Sequence, residues 1–506
     1  MLKLDFHFTI SLPIFCMPDI SPEILAKYEP VIGLELHAQL LTSTKAFCSC
    51  KAGYSDIPNA TVCPICLGHP GTLPVVNTKH VEMAVLLGLA TQCSIRPISA
   101  FARKNYFYPD LSKGYQITQF DDPICYQGNV TIEIEEGSMK QIGITRIHLE
   151  EDAGKSLHDI DIDTLVDFNR AGMPLLEIVS EPDIRSAAEA YRYMVTMRQL
   201  VRYLGICDGN LEEGSLRCDA NVSVRLKGNS VFGTKTEIKN LNSFRNVEKA
   251  ISYEIERHIA LIESGGEVRQ VTMQWDASAQ CTKEMRSKEQ AHDYRYFQEP
   301  DLGYVRIEEQ MIDRQRSQLP ELPLAMKLRL QQQYGIPGYD AGILTEDKDL
   351  ALFFEHTCSL LSVQSKERFK FVSNWVLTEI LKILSERKIG IATAEMIQPK
   401  AIAEIVDLFA DEKISSKIAK EVFAEYVSNG ISPNEYVSQK GLMQISDREE
   451  VERIVLSALE GEEENIEKYR SGKNNLMGYF ISKVMKVSGG KANPRLVNEL
   501  LTQHLQ

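Results

Sequence analysis

Five segments of this chain alternate apolar and polar residues with the two-residue period of a β-strand, and their polar positions carry acids and histidines. In the run from Val31 to Leu40, Leu34, Leu36, Ala38 and Leu40 alternate with Glu35, His37 and Gln39. Ile147 and Leu149 alternate with His148 and Glu150, and Glu177 lies inside Leu175-Leu-Glu-Ile-Val179. Leu216 to Arg225 sets Arg217, Asp219, Asn221 and Ser223 on one face, and Thr234 to Asn240 does the same with Lys235, Glu237 and Lys239. Side chains two apart on a strand point the same way, so each segment presents its polar groups in a row. Acids flanked by bulky apolar residues are costly unless they are ion-paired or hold a metal. One such acid reads as a salt bridge; five such segments point to a metal or phosphate site.

With 506 residues the chain can bury several cores, roughly two to four domains' worth. The net charge of −14 argues against a generic basic nucleic-acid binder, though not against a local basic groove. No apolar run approaches the ~20 residues of a membrane span, so a soluble, cytoplasmic protein is expected. Residues 1–27 read as a disordered N-terminal extension: Phe6 to Met17 is broken by Pro13, lacks a signal-peptide exit, and Met17 could itself be a start. Eleven cysteines, an odd number spread through a large chain, fit a reducing compartment better than a disulfide scaffold.

An α+β architecture is predicted. From about Tyr28 the chain mixes strand alternation with a few helices. Ser186-Ala-Ala-Glu189 is a capping box opening a helix toward Gly205, and Phe244, Val247, Ile251, Ile255 and Ile262 mark another that Gly265-Gly266 stops. Beyond the proline-bearing stretch 315–323 helical periodicity takes over; Gly430 ends one helix and Ser446-Asp-Arg-Glu449 caps the next. The predicted domains are therefore 28–317, 318–432 and 433–506. From Lys468 onward there are seven Lys/Arg against one acid, Glu499, with Lys483, Lys486, Lys491 and Arg495 flanking Ser488-Gly-Gly490. Such a basic module on an acidic chain either meets a polyanion or is a solvated helix face.

Cys48-Ser-Cys50, twelve residues, then Cys63-Pro-Ile-Cys66 has the spacing of a four-thiolate zinc site. A closed four-cysteine shell leaves no open coordination position, so zinc there is expected to be structural and to pin the loop beside Glu35 and His37. Ala153-Gly-Lys-Ser156 resembles the end of a phosphate-binding loop, but Leu149 stands where that pattern needs glycine. The histidine and carboxylates could instead hold magnesium, which prefers oxygen ligands, or manganese, which tolerates the histidine better. Arg103-Lys-Asn-Tyr-Phe-Tyr-Pro-Asp110 joins two cations to three aromatics, a combination able to stack a base and neutralise phosphate or simply to be core.

Together, Gly33-Leu-Glu-Leu-His37, Cys63-Pro-Ile-Cys-Leu-Gly68, Arg103 to Asp110, His148-Leu-Glu-Glu-Asp-Ala-Gly-Lys155, Pro174 to Asp183, Glu213 to Asn221, Thr236 to Phe244 and Ala291-His-Asp-Tyr-Arg-Tyr-Phe297 occur in the order of a known family. From Tyr28 to the C-terminus the chain resembles the B subunit of the aspartyl/glutamyl-tRNA(Asn/Gln) amidotransferase. The resemblance implies a cradle-shaped, mixed-sheet catalytic domain, a helical domain and a small helical tail that binds tRNA. It implies two partners, an amidase (the A subunit) and a small protein (the C subunit). It also implies ATP-dependent amidation of Glu or Asp mischarged on tRNA, through phosphorylation of the side-chain carboxylate and transfer of ammonia. By the same resemblance His37, Glu150 and Glu177 are divalent-metal ligands with Glu35 in their cluster. Lys104 would neutralise nucleotide phosphate, Phe232 would lie beside the nucleotide, and Asp219 and Glu237 would orient a second metal, the acceptor or ammonia. Leu36 and Ala38 replace common valines, and Gln298 and Gly303 stand where prolines are usual.

Three alternatives make different demands. The archaeal sister family has a large domain before its C-terminal helices, and no insertion is visible between Gly303 and Pro323. A non-catalytic, zinc-containing tRNA-binding scaffold would use the carboxylates only as partners for arginines. A stand-alone ATP-dependent ligase would need no partner, yet the chain shows no glutaminase nucleophile of its own.

Overall fold

The computed structural model describes residues 20–158, 161–285, 294–445, 447–471, 473 and 475–505, and it falls into two compact units divided between Leu322 and Pro323. Of the predicted extension, residues 1–19 lie outside the described residues; Pro22–Leu25 instead form one helical turn capped by Ser21. Ile20 and Ile24 there pack on Tyr28, Val224 and Ile259, so the end of that stretch is anchored by apolar contact.

The first unit is built on a nine-stranded sheet whose strands, in chain order, are β1 (Tyr28–Gln39), β2 (Ser94–Ile95), β3 (Cys125–Glu135), β4 (Ser138–Glu151), β5 (Pro174–Ser180), β6 (Leu216–Leu226), β7 (Thr236–Leu241), β8 (Thr272–Asp276) and β9 (Cys281–Glu284). Across the sheet they run β9-β8-β7-β6-β1-β5-β4-β3-β2. Only β7 and β8 are parallel; every other neighbouring pair is antiparallel, so the sheet is mixed and the α+β expectation is met.

Three helices cover one face: α1 (Thr78–Ala90), α2 (Ala187–Tyr203) and α3 (Phe244–Glu263). The apolar half of each strand turns to them. Leu34, Leu36, Ala38, Ile147, Leu149, Leu176, Ile178 and Ala220 join Val85, Met194, Val201 and Ile251 in one buried core. Ser186 caps α2 by accepting the Glu189 amide at 3.1 Å, while the Glu189 carboxylate accepts the Arg185 amide at 2.7 Å, one residue before the position that a capping box uses. Ser264 caps the end of α3, and Gly265 follows at φ +80°, a left-handed turn that glycine adopts without strain.

Behind the β6–β9 edge, α3 brings a carboxylate into the core. Glu254 is fully buried, accepts both guanidinium bonds of Arg257 at 2.8 Å and the Thr236 hydroxyl at 2.8 Å, and lies 3.3 Å from buried His258. Burial alone would raise its pKa, but His258, Arg257 and Thr282 outweigh it and hold the carboxyl well below its usual range.

Helices make up the second unit. The one beginning at Lys366–Trp375 passes through a π turn at Val376–Ile380 before continuing to Arg387. Gly430, at φ +70°, closes Ser416–Asn429 as its position predicts. The next cap differs from expectation: Ser446 lies outside the described residues, and Asp447 accepts the Glu450 amide at 2.9 Å to cap Arg448–Leu459. Val451, Val455, Phe480, Val484, Leu500 and Leu501 close a separate small core near the C-terminus.

Removing the Glu254 charge weakens the bonds it accepts from Arg257 and from the buried hydroxyls of Thr236 and Thr282, so Glu254→Gln should cost about 1–3 kcal/mol near neutral pH, measured by urea denaturation. The unfolded carboxyl titrates near 4.5 and the folded one lower, so this stabilisation is complete above pH 4.5 and lost as pH falls. The two urea midpoints should converge on acidification.

Candidate active site and cysteine cluster

The sheet face away from the helices collects the polar half of every central strand. Antiparallel register sets Glu35 opposite Asp219 of β6, and His37 opposite Arg217 of β6 and Glu177 of β5. Glu177 in turn faces His148 of β4, and Glu150 faces Leu175. Glu35 and His37 of β1, Glu150 of β4 and Asp219 of β6 open on one cleft of about 640 Å³, which Lys104, Tyr106, Asp152, Arg217 and Lys239 also line, while Glu177 and His148 sit behind its wall.

At its centre the His37 Nε2 lies 3.4 Å from Glu177, 3.5 Å from Glu150 and 3.8 Å from Glu35. Glu177 also meets His148 Nε2 at 3.2 Å and Arg146 at 3.6 Å. Two sets of three ligand atoms, Glu35–His37–Glu177 and His148–Glu150–Glu177, each lie within 4.8 Å of one another, and Glu177 belongs to both. Lys104, on the short strand Ala102–Asn105, reaches Glu150 at 3.3 Å.

On the other flank, Lys239 lies 2.6 Å from Asp219 and 2.9 Å from Glu237. Glu237 also accepts the Thr272 hydroxyl at 3.0 Å; it backs Lys239 and does not itself line the cleft. Phe232 does not join the group. It follows β6, 57% exposed, with the Arg225 guanidinium over its ring at 5.4 Å. Arg225 pairs with Glu29, six residues before Glu35, which at the strand rise is about 20 Å along β1. The alternation of β6 gives no hint of this, because the placement depends on where the hairpin turns.

A second cluster sits on the loop after β1. The Sγ atoms of Cys48, Cys50, Cys63 and Cys66 lie within 4.8 Å of one another, and all ten described cysteines are free thiols. Asn59 and Asn169 tie this loop to the segment before β5, through Asn59 to Val166 at 3.1 Å and Asn169 to Ile57 at 2.7 Å.

Residues 30–313 match the model of the GatB/GatE catalytic domain, and residues 353–505 match that of the GatB domain. The B subunit of the aspartyl/glutamyl-tRNA(Asn/Gln) amidotransferase from Chlorobium phaeobacteroides (strain BS1) is 51% identical over 478 residues, 94% of this chain and 99% of its own. That of Halorhodospira halophila is 52% identical over 480 residues, 95% of this chain and 99% of its own. The chain belongs to this amidotransferase family, as a B subunit.

In this family member the electrostatics of the cleft follow from crowding. Burial opposes protonation of His37, yet Glu150 and Glu177 outweigh it and raise the imidazole to about 10. Glu150 is pushed up by burial and pulled down further by Lys104 and His37, to about 2. Glu35 moves upward, because burial and Glu177 both disfavour its charge. Burial works against the Lys239 charge, but Asp219 and Glu237 hold it above the ordinary lysine range. Three carboxylates around one ring demand a positive charge. A proton on His37 is one way to supply it, and a divalent cation on mixed oxygen and nitrogen donors is another. The donor set therefore fits a metal of the magnesium or manganese type.

His148 and Lys239 carry more of this geometry than their sequence positions suggest. The signal was local: each stands two residues from an acid, Glu150 or Glu237, and so shares its face. Because Glu177 serves both ligand sets, Glu177→Gln should weaken manganese binding, measured by calorimetric titration of the full chain. The loss should exceed the ~10–100-fold that an outer-shell change costs.

Proposed function

We propose that this chain performs the ATP-dependent amidation of Glu mischarged on tRNA(Gln), of Asp mischarged on tRNA(Asn), or of both. The names of its relatives state that substrate pair. The observation that carries the reading for this chain is the convergence of Glu35, Glu150 and Glu177 on His37 at the wall of one cleft, with a lysine on either flank. A carboxylate is a poor electrophile; phosphorylation converts one of its oxygens into a leaving group that ammonia can displace. Phosphoryl transfer needs charge and alignment more than a covalent protein group.

In this reading His37, Glu150 and Glu177 hold magnesium or manganese, with Glu35 in the same cluster. The ion, when bound, supplies charge neutralisation and orientation for phosphate oxygens. Lys104 carries a fixed positive charge at the same end for nucleotide phosphate. Asp219 and Glu237 act through Lys239: gripped between them, it stays protonated and offers the cleft an anchored cation for the acceptor carboxylate. Tyr106, which donates to Gln116 at 2.6 Å, closes the wall beside Lys104. Ammonia comes from glutamine hydrolysed by a separate amidase, the A subunit, with a small third protein, the C subunit, completing a heterotrimer. Zinc on Cys48, Cys50, Cys63 and Cys66 is structural.

The C-terminal segment 433–506 is the tRNA-binding part of this proposal. Several of its cations are internally paired: Lys483 meets Glu462 at 2.6 Å and Arg448 meets Glu499 at 2.8 Å. Lys486 and Lys491, on either side of Ser488-Gly-Gly490, are the better candidates for phosphate. Among the described residues no helix is long and apolar enough to cross a membrane. Action on charged tRNA places the chain in the cytoplasm in this reading.

Ammonium chloride in place of glutamine bypasses the amidase and isolates the step assigned here. The assembled complex should then amidate mischarged glutamyl- or aspartyl-tRNA, and Glu150→Gln should slow amidation about 100- to 1000-fold, the scale of a lost charge-stabilising group. Near-normal turnover by that variant at saturating magnesium would favour the non-catalytic scaffold. For the tail, Lys486→Glu with Lys491→Glu should weaken tRNA binding and reduce the slope of log affinity against log salt by about one per lysine.

A further inference from the structure

Lys45 is fully buried, and its ammonium has only two partners among the described residues: the Phe168 carbonyl at 3.5 Å and Cys66 Sγ at 3.9 Å. No carboxylate there lies within ion-pairing distance of it. Glu151, the acid of the same neighbourhood, is engaged by Lys113 and by the Ile117 amide at 2.8 Å. A Cβ at Gly172, itself at φ +81°, would touch Lys45 Cδ and Cys66 Cβ at 3.6 Å and Glu151 Oε2 at 3.8 Å, so the lysine stem and the Cys66 side chain flank the same glycine. The Lys45 amide also donates to the Cys50 carbonyl at 3.0 Å, binding the lysine to both halves of the cysteine cluster.

A buried ammonium is costly unless a negative charge compensates it. Four thiolates around a dication leave a net double negative charge, which is also costly in a buried setting. Each group supplies what the other lacks. We propose that Lys45 is the counter-cation of the four-cysteine site, lowering the cost of the fourth thiolate and thereby setting how tightly the site keeps its metal. This rests on the zinc reading above.

The test is cobalt(II) titration of the full-length chain, followed by its visible thiolate bands, with zinc affinity obtained by competition. Lys45→Met keeps the apolar stem and removes the charge. Lys45→Gln, measured alongside, decides the matter if the methionine variant does not fold. Lys51→Met removes an exposed charge next to Cys50 as a control. The expected result is one zinc per wild-type chain and about 10- to 100-fold weaker binding in the Lys45 variants, with an unchanged cobalt spectrum and no effect at Lys51. Equal affinity in the Lys45 variants would overturn the proposal. A changed spectrum would also overturn it, assigning Lys45 to the shape of the loop. A wild-type chain that binds neither metal would sink the zinc reading itself, and the proposal with it.

Discussion

The register between β1 and its two neighbours is the constraint from which the site follows. His37 opposite Glu177 and Glu35 opposite Asp219 hold only while Leu34, Leu36, Ala38 and Leu40 point to the helices. A slip of one residue would turn every side chain of β1 to the other face. It would expose at least three leucines, each contributing about 1.5–3 kcal/mol through burial, and would place Glu35 and His37 against α2. That loss rivals the whole ~5–15 kcal/mol stability of a typical domain. The chemistry of the polar face is thus positioned by hydrophobic burial on the opposite face, with no loop required to hold it.

Two histidines show how the same residue type is put to different use. His80, on α1, is fully buried and offers Nε2 to the Leu175 carbonyl at 2.9 Å; burial pushes its pKa down to about 4. His37 is nearly as enclosed, yet its carboxylate neighbours raise it to about 10. Those neighbours repel one another, a cost that the core of the sheet must offset. Glu254 bears on the same balance from the far side. It is surrounded by donors and fixes α3 behind β7, the strand from which Lys239 enters the cleft.

Much of the sheet was legible in the sequence because alternation is local. The segments around Glu35, Glu150, Glu177, Asp219 and Glu237 announce a strand and its polar face by themselves, and the paired cysteines announce convergence through their spacing. Pairing across strands is not local, and there the reading thinned. Nothing in Leu175-Leu-Glu-Ile-Val179 says that Glu177 would be shared between His37 and His148, or that Asp219 and Glu237 would close on one lysine. Phe232 shows the same limit: periodicity gives a face but not a distance along the strand. Lys45 was silent for another reason. Its burial depends on a loop folding back over it, and a lysine in Thr44-Lys-Ala46 reads as solvated until that fold is known.

Adjacent strands also explain why this arrangement can hold an ion at all. Neighbouring strands lie about 4.7–4.9 Å apart, whereas magnesium–oxygen bonds of about 2.0–2.1 Å put ligand atoms roughly 3–4 Å from each other. Side chains rising from β1, β5 and β4 therefore need to lean together by only an ångström or two, which ordinary χ rotation provides. Two sets of ligand atoms, Glu35–His37–Glu177 from β1 and β5 and His148–Glu150–Glu177 from β4 and β5, already lie within 4.8 Å. A loop-borne site would have to be ordered at the moment of binding. Here the backbone beneath His37 and Glu177 is fixed by paired strands on both sides, and that beneath Glu150 by β5 on one side and the Gln119 and Gln116 side chains on the other, so the entropy of placing the ligands has already been lost in folding. At the rim, Lys104 and Lys239 rise on long stems from the sides of the row. Floor and rim are therefore both anchored: Lys239 is held by Asp219 and Glu237, and Lys104 by Glu150.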